Sequence, residues 1–183
     1  GLKKALVGAT WGGLISAIAL SVYLMMIDTA TISLTNIGIT TIVFLVLYAL
    51  LKGLTGLSSS IVIPMIADVS DYETYKSGRY VPGMVGTLFS FVDKMVSSLA
   101  PAIVGFLVAT IGYTETLPQV GEALTPSLMV MTLVLMFGIP AVGLAISLIA
   151  MKFYNLDGTK MEEIQASIAE VKRSANNDNK QAV

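Results

Sequence analysis

Four long apolar runs divide the chain, and short polar or charged segments separate them. The runs cover about 5–27, 36–67, 84–111 and 127–151, and each is long enough as a helix to cross the ~30 Å hydrocarbon core of a bilayer. The second run would be roughly 48 Å long as one straight helix. We therefore expect it to tilt, kink or break near 53–60 or at Pro64. The pattern predicts an all-α membrane protein with four transmembrane helices, 1–152, and a tail, 153–183.

Short-range spacing adds detail at both ends of this pattern. Gly8 and Gly12 in the first run have the small-xxx-small spacing that lets a neighbouring helix approach closely. In the tail, Thr159 and Glu162 fit a capping box, and apolar side chains recur at helical spacing after it. We therefore predict a short amphipathic helix over about 160–173. The polar residues 174–183 are expected to be disordered.

The third run contains two charged side chains, Asp93 and Lys94. On insertion scales a central Lys or Asp costs roughly 2.5–3.5 kcal/mol. Lys94 lies about 15 Å along the helix from Met84, which predicts a position near the midplane, and we expect it to face the concave side of the helix group. Adjacent helical residues do not face each other, so we predict that Lys94 pairs with an acid on another helix rather than with Asp93.

Lys94 belongs to a stripe of small and polar residues along one face of the same helix. The members of the stripe are Thr87, Ser90, Lys94, Ser97 or Ser98, Pro101 and Gly105. A similar stripe runs down the second run: Tyr48, Lys52, Thr55 or Gly56, and Ser59. Lys52 has two interpretations. It lines a water-filled cavity, or it extends from a shorter helix to the membrane surface.

A charged segment, Asp68–Tyr80, joins the second and third runs and is predicted to be a hinge. Asp68 and Asp71 share one face of a helical turn, and Lys76 and Arg79 follow closely enough to fold back towards them. One interpretation is a solvated surface cluster worth about 0–1 kcal/mol per pair. The other is a cytoplasmic gate in which Asp68 or Asp71 pairs in one transport state and is released in the other.

The basic residues lie on one side of the predicted topology. Nine of them precede the first run, lie in the hinge or follow the last run, and none lies in 28–35 or 112–126. By the positive-inside rule, both termini and the hinge are cytoplasmic, and Glu115 and Glu122 are extracytoplasmic. We therefore predict a multi-pass protein of the cell (inner) membrane.

Composition supports the membrane class and excludes others. The 183 residues are 55% hydrophobic and 13% charged, whereas soluble domains average about 45–50% and about 25%. The net charge of −1 argues against a nucleic-acid partner. The chain has no His and no Cys, which removes the commonest general base and any thiolate site. We predict that it is not an enzyme and has neither a catalytic nor a metal site.

Three stretches carry a family resemblance. PMIADVSDYETYKSGR, SFVDKMVSS with the later Ile111–Tyr113, and the tail YNLDGTKMEEIQASIAEVK resemble the glycoside–pentoside–hexuronide:cation symporters, the melibiose-permease-like branch of the major facilitator superfamily. In the loop, Asp71-Tyr72 and Tyr75-Lys76, followed by Gly78 and Arg79, match the family pattern. The resemblance covers most of the chain from about Phe44.

The resemblance implies that the four spans are helices nine to twelve of a twelve-helix carrier whose N-terminal half is missing. It implies that Lys94 lies near the cation and sugar sites, whereas Asp93 departs from the family pattern. We predict two sets of site residues. Those of the substrate and cation pathway are Lys94, Asp93, Ser90, Ser97, Lys52 and Tyr48. Those of the cytoplasmic gate are Asp68, Asp71, Tyr72, Lys76 and Arg79.

Two hypotheses for function follow. The first is a fragment of a secondary active transporter that carries a sugar or glycoside with a coupled cation by alternating access. Its partners would be the bilayer, the sugar and the missing half, which would hold most of the ligands for the coupling H⁺ or Na⁺. No other cofactor is predicted. The alternative is a small four-helix scaffold or subunit whose buried charges are structural.

Overall fold

The computed structural model describes residues 1–119 and 121–181 and is helical, with no strand in that part of the chain. The helices are α1 (Leu2–Met26), α2 (Ile39–Ser77), α3 (Pro82–Ala109), α4 (Pro126–Leu133), α5 (Ile139–Phe153) and α6 (Gly158–Gln181). A 3₁₀ turn, Thr29–Thr31, follows α1, and a π-helical segment, Val134–Gly138, joins α4 to α5. Four helices are long and apolar enough to cross a membrane: α1, α2, α3 and the continuous helix Pro126–Phe153. The predicted all-α membrane fold is therefore confirmed.

The core lies where α1 packs against α2 and α5. One buried cluster contains Ala17, Leu20, Leu51 and Phe137, and a second contains Leu6, Ile61 and Met65. In a bilayer, apolar side chains gain little by leaving lipid, so helix association depends on close approach and on polar contacts. Both features occur between α1 and α2, and together they make this pair the rigid centre of the chain.

The spacing predicts close packing at both Gly8 and Gly12, and of these two the structure shows a contact with α2 at Gly12 only. A methyl group added at Gly12 would lie 2.9 Å from Leu54 Cδ1, whereas one added at Gly8 would meet nothing within 4 Å. The polar contact is made by Thr10 and Ser58, whose buried hydroxyl oxygens lie 3.4 Å apart.

Helix α2 does not break where the sequence predicts. It continues through Pro64 to Ser77, so the predicted hinge from Asp68 is helical over its first ten residues. Proline interrupts a helix less in a membrane protein, because neighbouring groups can satisfy the carbonyl that it frees. The helix ends at Gly78, whose positive φ of 70° is the left-handed conformation that a C-terminal cap requires.

The tail also differs from its prediction. Helix α6 continues to Gln181, so residues 174–181, expected to be disordered, are helical; 182 and 183 lie outside the described residues. Asp157, rather than Thr159, caps this helix by accepting the Lys160 N–H at 2.9 Å. Ile164 and Met161 are only 1% and 7% exposed, because α6 packs against α2. The apolar stripe of α6 therefore serves docking onto the protein.

Candidate functional site

The two faces of α3 differ sharply in chemistry. Val85, Phe89 and Val92 line an apolar groove of about 440 Å³ shared with α1, α2 and α5. Lys94 follows Val85 by nine residues, which at 100° per residue places it on the opposite face. The predicted polar stripe therefore faces away from the other helices, and its members Ser90, Lys94 and Ser97 are exposed. Lys94 does not line this groove, and its position on the concave side of the helix group stays a prediction.

The groove that Val92 borders is also lined by Leu6, Met65 and Tyr154. These three residues lie towards the end of the helix group that is defined by Lys3, Gly78 and α6, which we call the tail end. The position of Lys94 near the midplane stays a prediction.

Asp93 is exposed like its neighbour, and both are separated from the core. Val108 is the only buried residue of α3 within the described chain. The polar face of α3 thus has no partner among the other described helices. In a bilayer, the charges on this face require a partner from outside these helices.

The second predicted stripe contains an organised contact. The Lys52 ammonium lies 5.4 Å from the centroid of the Tyr48 ring. That ring stacks on Phe44, with centroids 5.7 Å apart and planes inclined by 16°, and both rings pack against the cluster around Leu51. Lys52 is exposed among the described residues, and a cation–π contact at an exposed site contributes about 0.5–1 kcal/mol. This is less than the roughly 2.5–3.5 kcal/mol that a central lysine costs.

Packing between α1 and α2 sets the depth of Lys52. Gly13 lies against Thr55, where an added methyl group would be 3.4 Å from its Cγ2 atom. Because the two helices are antiparallel, Lys52 is level with Ser16, near the middle of α1. Lys52 does not border the groove that Val92 lines, and the structure does not bring the six predicted pathway residues into one cluster.

Four of the predicted gate residues, Asp68, Asp71, Tyr72 and Lys76, lie on the helical extension of α2, and Arg79 follows its end. Asp71 borders a cavity of about 200 Å³ formed with Gln165, Ile168 and Ala169 of α6. Tyr72 is half-buried. Lys76 and Arg79 are exposed, so the described structure does not show them folded back onto the acids. A continuous helix holds these residues at fixed spacing, which is why the fold-back does not occur.

Tyr154 is a site residue that the sequence did not suggest. Its phenol oxygen is buried with no hydrogen-bond partner among the described groups, and it lines the apolar groove. Burial, followed by the nearby Asp68 carboxylate, raises the pKa of the Tyr154 phenol. The Lys3 ammonium donates a hydrogen bond to the Tyr154 backbone carbonyl, which ties the start of α1 to the end of α5. A tyrosine just after an apolar run predicts only a membrane-interface position, so no signal in the sequence singled it out.

Metal-binding clusters are absent from the described part of the chain, where no three or more acidic, His or Cys side chains group together. What the arrangement offers is a polar face of α3, a lysine–aromatic contact at mid-depth and a docked tail helix. These features define a multi-pass helical membrane protein with ionisable groups in its spans.

Comparison with known proteins places the chain more closely. A family model described as MFS/sugar transport protein matches residues 6–158. The chain belongs to this family, and the predicted resemblance to the glycoside–pentoside–hexuronide:cation symporters is confirmed at the level of the family.

Individual relatives match about half of the chain. The isoprimeverose transporter of Lactiplantibacillus pentosus is 32% identical over 103 residues, which are 56% of this chain and 20% of that protein. An uncharacterised 29.9 kDa protein from the crtE 3′ region of Pseudescherichia vulneris is 31% identical over 101 residues, 55% of this chain and 35% of that protein. The candidate glycoside/cation symporter YagG of Escherichia coli (strain K12) is 28% identical over 105 residues, 57% of this chain and 22% of that protein. The matched stretches thus span between a fifth and about a third of these relatives. No solved structure matches the chain.

Proposed function

We propose that the chain is part of a secondary active transporter that carries a sugar or glycoside across the cell membrane with a coupled cation. The observation that supports this most strongly is the match of residues 6–158 to the sugar-transport family. Two relatives are an isoprimeverose transporter and a candidate glycoside/cation symporter, and this supports a glycoside as the substrate class. The coupling cation, H⁺ or Na⁺, is bound mainly by parts of the carrier outside this chain.

The polar face of α3 supports alternating access as the mechanism. Ionisable groups in a span belong beside a cavity or a partner, not in lipid. We infer that Lys94, Asp93, Ser90 and Ser97 face another part of the carrier across the transport pathway. Lys94 contacts an acidic residue there in at least one transport state, because an unpaired ammonium in a bilayer is costly.

The experiment is uptake into membrane vesicles by the complete carrier under an imposed Na⁺ or H⁺ gradient. Wild-type carrier should accumulate a glycoside against its concentration gradient, and Lys94→Ala should abolish accumulation while the protein still reaches the membrane. No accumulation of any glycoside by wild type would favour the four-helix scaffold instead. Normal accumulation in Lys94→Ala would contradict the role of that lysine alone.

The extension of α2 is the proposed cytoplasmic gate. The gate shifts between two states that differ by only a few kcal/mol, so one charge is enough to bias it. Asp71→Asn should alter the transport rate more than the sugar affinity. Single cysteines introduced near the tail end report the state of the gate through their reaction with a thiol reagent. Equal reaction in the otherwise wild-type carrier and in Asp71→Asn would show that the extension is only a surface helix.

A further inference from the structure

We propose that Lys52 is a carboxylate-binding site at mid-depth in the transport pathway. The carboxylate comes either from a transmembrane acid elsewhere in the carrier or from the substrate. This inference rests on the proposed function, because it assumes that α2 borders a pathway. It assigns the mid-depth cationic position to Lys52, which the resemblance to known symporters does not do.

The depth of Lys52 excludes an extension to either membrane surface. Lys52 is level with Ser16 of α1, about 20 Å along that helix from Lys3 and about 15 Å from Met26. A lysine side chain is much shorter than either distance. Of the two interpretations of Lys52, the structure therefore favours the one in which it lines a cavity.

The direction of the side chain leads to the same conclusion. Its ammonium lies over the ring of Tyr48, one helical turn nearer the start of α2, and so points away from the tail end. The ring is itself held by Phe44 and by the cluster around Leu51. The contact holds the ammonium in place without neutralising it, because an aromatic face carries no net charge.

The acids of the chain do not supply the missing negative charge. The apolar part of α2 before Asp68, the whole of α1 and the stretch Pro126–Phe153 contain no Asp or Glu. The only acid within α3 is Asp93, which follows Val92, a residue of the groove that lies towards the tail end, whereas Lys52 does not border that groove. The counter-charge of Lys52 therefore comes from outside these four helices.

A carboxylate is the group that fits. An ammonium offers three donors and no acceptor, and the Tyr48 ring face leaves those donors without an oxygen partner. Carboxylates are the anionic side chains of proteins, and within membranes Lys and acidic side chains pair with one another. A sugar acid presents the same group, so both sources remain chemically equivalent at Lys52.

The test uses the complete carrier with Lys52→Gln, which removes the charge, and Lys52→Arg, which keeps it. Lys160→Gln is the matched control, because Lys160 is exposed on the tail helix α6 and belongs to neither predicted set of site residues. Uptake of a neutral probe, methyl β-D-glucoside, is compared with that of its acid, methyl β-D-glucuronide. We expect Lys52→Gln to lower uptake of at least one probe tenfold or more, with Lys52→Arg and Lys160→Gln within twofold of wild type.

The pattern of loss identifies the source of the carboxylate. If Lys52→Gln loses uptake of the glucuronide alone, the carboxylate that binds Lys52 belongs to the substrate. Loss of both probes, with recovery when one transmembrane acid is also changed to its amide, indicates the carrier, and that recovery also separates a broken charge pair from simple misfolding. Uptake of both probes by Lys52→Gln at the wild-type rate would overturn the inference while leaving the proposed function intact. Loss of uptake of both probes that no acid-to-amide change restores would also overturn the inference. Absence of uptake by wild type would instead overturn the proposed function.

Discussion

Docking of α6 onto α2 can be tested through one side chain, Ile164. It is 1% exposed, and changing it to Ala removes three carbon groups from the contact. At about 0.8 kcal/mol per buried carbon group, the transfer term alone is about 2.4 kcal/mol, and core Ile→Ala changes cost about 2–5 kcal/mol. Because 1.4 kcal/mol is a factor of ten in an equilibrium constant, the undocked fraction of α6 should rise roughly 50-fold.

Hydrogen exchange of the α6 amides, followed by mass spectrometry, measures this directly. An undocked helix of this polarity is marginal by itself, so its amides exchange whenever it leaves α2. Glu163→Ala is the matched control, because the neighbouring Glu163 is exposed and surface changes usually stay within about 0.5 kcal/mol. If Ile164→Ala and Glu163→Ala exchanged α6 amides at the same rate, the docking of α6 would be refuted.

Three further predictions concern packing, pH and topology. Gly12→Val should destabilise the chain by about 1 kcal/mol, the lower end of the overpacking range, because the Leu54 side chain must move aside, whereas Gly8→Val should change it little; equal thermal shifts for the two variants in detergent would contradict this packing. The raised pKa of Tyr154 means that its neutral form stabilises the fold, so this stability is fully present below pH ~10 and is lost as pH rises through the higher folded-state pKa. Tyr154→Phe should remove that loss of stability at alkaline pH. An alkaline unfolding curve that is the same for Tyr154→Phe and wild type would show that Tyr154 does not cause the loss. Single cysteines at Thr116 and Ser77 should react with an impermeant thiol reagent from opposite sides of the membrane, and labelling from the same side would refute the four-span topology.

Much of the fold follows from the sequence because hydropathy alone determines which segments can cross a bilayer. The number of spans depends only on apolar length, and the composition leaves no soluble alternative. The end of α2 does not follow in the same way. Pro64 and the charged residues after it have low helix propensity or high polarity, yet α2 continues to Gly78. A docked partner, α6, covers one side of this extension, and propensity carries no information about such a contact.

The candidate site is predicted less well, because it depends on helix register. Spacing correctly places Ser90, Lys94 and Ser97 on one face of α3, since that is a property of a single helix. It does not reveal which face meets the neighbours, nor how far the start of α3 lies outside the span. For Lys52, the deciding fact is the contact between Gly13 and Thr55, which joins residues far apart in the sequence.

Packing also divides the described helices into a tight unit and a loose one. Membrane helices associate through close packing at small residues and through polar contacts, and α1 and α2 have both, where the Leu54 side chain packs on Gly12 and at the Thr10–Ser58 pair. On α3, by contrast, methyl groups added at Gly86 or Gly105 would meet nothing within 4 Å. The helix that carries the adjacent charged residues Asp93 and Lys94 is thus the membrane-crossing helix that the other described helices hold least. A carrier that exposes its pathway alternately to two sides needs such a difference, because an element can change partners only if no close contact fixes it to one of them. We therefore expect any movement within this chain to occur between α3 and the α1–α2–α5 unit, with the turn at Gly78 as its pivot.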